Sequence, residues 1–136
     1  EFQRHALENK AAALRLYEQA AAHSPRRGPD RALIFREWGM LLRDSGQAEA
    51  TDLAIEKFEI ALLETPNDVV AVHALAHMLD RRGTYSRVIE LLAPLRNHQN
   101  AKTRRVTLPL LLNAYERTGD IVNASGIKAE IEESQA

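Results

Sequence analysis

Apolar residues recur three and four positions apart along most of the chain, as in Phe35, Trp38, Met40, Leu41 and Leu42, and again in Ile55, Phe58 and Leu62. This is the spacing of a helix with one buried face. Helix-breaking residues divide the pattern into helix-length pieces: Pro25, Gly28 and Pro29, then Gly46, then Thr65-Pro66-Asn67-Asp68, Gly83, the stretch 98–100, and Gly119-Asp120. No segment alternates apolar and polar residues as a strand would. The chain is expected to be all-α, with about seven helices and with Gly46, Gly83 and Gly119 as C-terminal stops that take a positive φ.

The pieces also match one another. Gly39 precedes Gly46 by seven residues, as Ala76 precedes Gly83 and Leu112 precedes Gly119, with Leu42, Leu79 and Tyr115 four residues before each turn. Past the turns, Tyr85 and Ile121 correspond, and so do Val88 and Ala124. Ala54 to Val88 and Phe58 to Leu92 both span 34 residues. A self-similar period of this length is the signature of a stacked helical-hairpin repeat.

With those residues in view, the chain resembles a tetratricopeptide-repeat (TPR) protein. Phe35, Trp38-Gly39, Leu42, Gly46, Ala54, Phe58, Ala61 and Pro66 follow the family pattern, with three extra residues between Gly46 and Ala54. The next unit carries Val72, Leu75-Ala76, Leu79, Gly83, Tyr85, Val88 and Leu92, with Asn100 where proline is usual. A third fits at Leu108, Leu111, Tyr115, Gly119, Ile121 and Ala124. There Leu112 replaces a small residue and Lys128 an aromatic, so looser packing is expected. Ala13, Tyr17, Ala20 and Pro25 match Ala54, Phe58, Ala61 and Pro66, so the chain opens on the second helix of a partial repeat. It is expected to be a piece of something longer, and Glu1-Phe2 reads as a cloning remnant. The resemblance implies an α-α superhelix of antiparallel hairpins, one domain over 1–136, with the partial repeat at 5–25 and full repeats at 30–68, 69–102 and 103–134. Residues 28–31 should lengthen the first connection.

The resemblance further implies that the first helix of each repeat lines a concave groove. The stripe facing it reads Leu33, Arg36, Met40 and Arg43, then Val70, His73, His77 and Asp80, then Val106, Pro109, Asn113 and Glu116. Arginine forks suit carboxylates and methionine adapts to varied apolar shapes, so the expected ligand is a protein or peptide segment, acidic and apolar in character. The lysine, asparagine and arginine set with which some TPR proteins clamp a chaperone C-terminus is not reproduced. TPR arrays also serve as sensor or docking arms of larger signalling ATPases and effectors, and that regulatory role is the alternative reading.

Composition narrows the field. Eighteen basic and nineteen acidic residues leave a formal charge of -1, so no global field draws the chain to nucleic acid or to an anionic membrane. Three basic clusters, Arg26-Arg27-Arg31, Arg81-Arg82-Arg87 and Lys102-Arg104-Arg105, fall at or near turns. Arg81 and Arg82 read as cations complementing the end of a helix dipole. An RNA-reading helical repeat is the weaker rival, since the groove is not uniformly basic. With no cysteine, there is neither a disulfide nor a thiolate site. No apolar run approaches membrane-spanning length, and a cytoplasmic setting is expected.

His73, His77 and Asp80 share a helix face at a spacing adequate for a divalent metal. No glutamate adjoins the first histidine as a zinc protease requires, and no metal or cofactor site is assigned. Phosphate loops and nucleophile elbows are missing, so no enzyme activity is expected. Pro109 should kink its helix or delay its start. Ile127 and Ile131 should form an exposed apolar stripe on the last helix, favouring self-association or a further repeat.

Overall fold

The computed structural model describes residues 2–23 and 29–135, with side chains described at 12–22 and 30–135. Among the described residues the chain is all-α, with helices α1 (Phe2–His23), α2 (Pro29–Asp44), α3 (Ala48–Glu64), α4 (Val69–Arg82), α5 (Tyr85–Leu92), α6 (Ala101–Thr118) and α7 (Ile121–Gln135). One 3-10 turn, Ala93–Leu95, follows α5. The chain forms two compact units, Glu1–Ala71 and Val72–Ala136.

In the first unit α2 packs along α3, and α1 packs on α2. Only residues 45–47 separate α2 from α3, so the packed pair is an antiparallel hairpin. Its core is Ala32, Phe35, Trp38 and Leu42 on one helix and Ala54, Phe58, Ala61 and Leu62 on the other, all buried. Gly39 makes the close approach possible, because a Cβ there would stand 3.0 Å from the Phe58 ring. The Phe35 and Trp38 rings stack with centroids 5.6 Å apart, and the Lys57 ammonium lies 4.0 Å from the Trp38 ring centre, a favourable cation and π-face pairing. Helices α3, α5 and α7 each begin two residues after a turn glycine. The three extra residues before Ala54 therefore add most of a helical turn to α3 rather than lengthening the loop. Residues 29–31 are already helical, which leaves the first connection shorter than the spacing suggested. Pro25, Arg26 and Arg27 lie outside the described residues.

In the second unit α5 packs on α6 and α6 on α7. Val72, Leu75, Ala76 and Leu79 of α4, Val88 and Leu92 of α5, Leu108, Leu111, Ala114 and Tyr115 of α6, and Ala124 and Ile127 of α7 supply its core. Two hydrogen bonds join α4 to α6: His73 with Thr107, and Asn113 to Asp80. The contacts advance together along both helices, so α4 and α6 run parallel, side by side. Gly119 closes α6 at φ 80°, a left-handed conformation costly for other residues, and Gly46 and Gly83 do the same for α2 and α4.

Three local expectations change. The fifth helix ends at Leu92, before the 98–100 stretch, because Pro94 has no N–H to continue the ladder; Ala93 keeps helical angles, and the chain tightens into the 3-10 turn Ala93–Leu95. Helix α6 starts at Ala101, eight residues ahead of Pro109 and continuous through it. Its start is not delayed; the proline removes only the bond to the Arg105 carbonyl. Asn100, standing where a proline was expected, accepts the Lys102 N–H at 2.8 Å and caps this helix. In α7, Lys128 points outward to Glu116 at 3.5 Å, and Ile127, fully buried, takes the place in the core.

Candidate functional site

On the first unit, Leu33, Arg36, Met40 and Arg43 recur once per turn of α2. The Arg36 guanidinium donates from Nη1 to Asp68, in the turn ahead of α4, at 2.9 Å and from Nη2 to Glu37 at 3.5 Å, while its Nε is buried without a hydrogen-bond partner. Asp68 in turn accepts the Ala71 N–H and caps α4. Arg43 donates to its neighbour Asp44. Leu33, 49% exposed, and Val70, 50% exposed, remain open to solvent, and Met40 is half-buried.

On the second unit the polar positions of the stripe are likewise engaged. His73 Nε2 and the Thr107 hydroxyl share a 2.8 Å hydrogen bond, and Thr107 is fully buried. Burial, reinforced by the nearby His77 and then His98, lowers the His73 pKa below its ordinary 6.5, so the neutral imidazole is favoured. Asn113 donates to Asp80 at 2.8 Å. Glu116 faces Lys128 across solvent. His77, Val106 and Pro109 are exposed.

The stripe is therefore two things at once. Arg36 is held by Asp68; His73, Asp80 and Asn113 join α4 to α6, and Leu33, Val70, His77 and Val106 are exposed. Sequence reasoning did not single out Asp68 or Thr107, the partners of Arg36 and His73. Thr107 could have been found, because it lies one 34-residue period after His73, where side-by-side first helices would place equivalent residues.

The metal geometry does not assemble: Asp80 is held by Asn113, and among the described residues no three His, Asp or Glu side chains group to hold an ion. The basic clusters disperse as well. Arg31 lies over the Phe35 ring and donates to the Ala21 carbonyl, Arg87 pairs with Glu90, and Arg104 donates to the carbonyls of His98 and Gln99. Arg81 and Arg82 are exposed in the last turn of α4.

A cavity of 740 Å³ opens between the first half of α6 and the end of α7, with Leu108, Pro109 and Ile131 among its lining residues. Its lining also carries Arg104 and Arg105 from α6 and Glu130 and Glu133 from α7. Arg96 spans it, pairing with Glu130 at 2.9 Å and lying across Gly126, where a Cβ would come within 2.8 Å of the guanidinium. With Ile127 buried and Ile131 half-buried, the exposed stripe expected from this pair does not form; the large exposed apolar residues of α7 are Ile121 and Val122. No helix among the described residues is long and apolar enough to cross a membrane. Comparisons with protein-family models, curated proteins and solved structures gave no significant match.

Proposed function

We propose that the chain is a TPR-like docking module that takes up a peptide segment of a partner protein on the first-helix faces of its units, in a cytoplasmic setting. One observation carries the reading. Leu33, Val70 and Val106 stand six residues before Gly39, Ala76 and Leu112, the same position of the repeat on α2, α4 and α6, and all three are exposed, at 49%, 50% and 42%. A helix normally turns such side chains inward, and repetition of the exception at one position in each repeat supports a contact role over chance. The polar residues beside them are mostly tied to neighbouring helices, so the recognised segment is expected to contribute aliphatic side chains first and acidic ones second.

The test is selection of binders from a random-sequence peptide library displayed on phage, followed by mapping of a selected peptide on the amide NMR spectrum. Shifts should cluster at Leu33, Met40, Val70, His77 and Val106. The triple variant Leu33→Ser, Val70→Ser, Val106→Ser should lose at least about tenfold in affinity, since burying one aliphatic side chain contributes about 1.5 kcal/mol or more. Selected peptides that shift α3, α5 and α7 instead, and bind the triple variant equally well, would overturn the proposal.

A further inference from the structure

We propose that Thr84 is a phosphorylation site: an arginine-directed serine/threonine kinase transfers a phosphoryl group to its hydroxyl, and the resulting dianion caps α5. The inference does not depend on what the module binds.

Two stretches of the chain place a threonine behind a pair of arginines, Arg81-Arg82-Gly83-Thr84 and Arg104-Arg105-Val106-Thr107. Guanidinium forks pair well with carboxylates, so each stretch carries the charge by which an acidic kinase cleft selects its acceptor. The structure separates them. Thr107 is fully buried inside α6 and hydrogen-bonded to His73. Thr84 stands in the short link between α4 and α5, exposed together with Arg81, Arg82 and Gly83, and its hydroxyl caps no amide of α5. Presenting Thr84 as an extended acceptor requires only the last turn of α4 to unwind, and helix ends open at the least cost. Presenting Thr107 requires half of α6 to unwind.

In the transfer, Thr84 Oγ1 bonds to the γ-phosphorus of ATP as the bond from that phosphorus to the β,γ-bridging oxygen breaks. ADP leaves, and the hydroxyl proton passes to the catalytic carboxylate of the kinase. The side chain gains about two negative charges.

Those charges arrive where α5 lacks any. Asp30 and Glu49 lie in the first turns of α2 and α3, and Asp68, Asn100 and Asp120 cap α4, α6 and α7. Helix α5 has neither an acidic residue in its first turn nor a side-chain cap. The next hairpin shows what an anion does at this place: Asp120 follows Gly119 as Thr84 follows Gly83, and it accepts the Asn123 N–H at 3.1 Å. A phosphate on Thr84 meets the corresponding Arg87 N–H and the positive end of the α5 dipole. The Arg87 side chain, which donates to Glu90 at 3.0 Å, gains a more highly charged acceptor.

The test is incubation of the whole folded chain with magnesium, ATP and a kinase selective for arginine two and three residues ahead of its acceptor, with the phosphate located by fragment mass spectrometry. One phosphate on Thr84 is expected, with Thr107 unmodified and Thr84→Ala unlabelled. In the phosphorylated chain, amide hydrogen exchange at Tyr85, Ser86 and Arg87 should slow about two- to fivefold at low ionic strength. Phosphate on Thr107, on Ser86 or on no residue refutes the site. Phosphate on Thr84 with exchange at the start of α5 unchanged or faster refutes the cap.

Discussion

Gly39→Ala sets two known effects against each other. Alanine is favoured over glycine inside a helix by about 1 kcal/mol. Here the added methyl would stand 3.0 Å from Phe58 Cε1 and 3.1 Å from both Cδ1 and Cζ. Three atoms of a fully buried ring cannot all yield without moving the ring, and overpacking of this kind costs about 1–3 kcal/mol. The net expectation is a loss of about 1 kcal/mol. The second unit shows how the conflict can be relieved, for there Ala76 and Leu92 hold the corresponding places and both are fully buried. Phe58→Leu alone should cost about 1 kcal/mol as a volume-reducing swap, but with Gly39→Ala present the smaller side chain makes room for the methyl. The double variant should therefore be more stable than the sum of the single changes predicts, with a coupling of about 1 kcal/mol. Urea unfolding followed by Trp38 fluorescence is the assay, because the chain's single tryptophan lies in this hairpin and reports on it. Additivity within about 0.5 kcal/mol would show that Gly39 and Phe58 do not meet as described.

Three further outcomes are expected. Gly119→Ala, forced to keep φ near 80°, should destabilise the second unit by about 1 kcal/mol, measured by urea unfolding followed by circular dichroism; an unchanged midpoint would mean that the turn is not left-handed. Asn100→Ala removes the cap on α6 and should cost about 1 kcal/mol, with faster exchange of the first α6 amides, whereas Asn100→Asp should restore most of it. Asp120 accepts from the Asn123 side chain and backbone, which holds its pKa below 3.8. Its contribution is complete above that value and is lost as pH falls through the folded-state pKa. The Asn123 amide resonance should therefore stay constant down to about pH 4 and shift only below it.

The helices were legible because their apolar faces repeat and their ends are marked by glycine at the three left-handed turns. The core of each hairpin was legible for the same reason: a small residue at Gly39 or Ala76 and a large one at Phe58 or Leu92 recur at fixed offsets, and the structure buries all four. Pro94 was underweighted because Leu91, Leu92 and Leu95 continue a helical pattern across it, and only the missing backbone donor ends the ladder there. Ile127 was misplaced because the aromatic position of the repeat had been filled by Lys128; a turn-by-turn pattern cannot show that the helix buries the adjacent residue instead. The bonds of Arg36, His73 and Asp80 were hidden for a different reason. They depend on how far one helix slides along its neighbour, which no single helix encodes.

That division decides how a binding face on this chain can be tested at all. Arg36 holds Asp68, which itself caps α4, so an alanine at Arg36 strips a partner from the cap and weakens the first unit along with any contact to a ligand. His73 and Asp80 raise the same problem in the second unit, where each joins α4 to α6 and where removing one partner strands the other, at a cost of about 1–3 kcal/mol if it is buried. Loss of binding in those variants would not distinguish a contact from a collapsed support. Leu33, Val70, His77 and Val106 differ in kind: they are exposed, and none of their side chains takes part in the bonds that hold the helices together. Their replacement should leave the urea midpoint within about 0.5 kcal/mol of the parent while altering affinity. A stripe whose polar members hold the scaffold and whose outward side chains are left over is one in which recognition can change without loss of the fold.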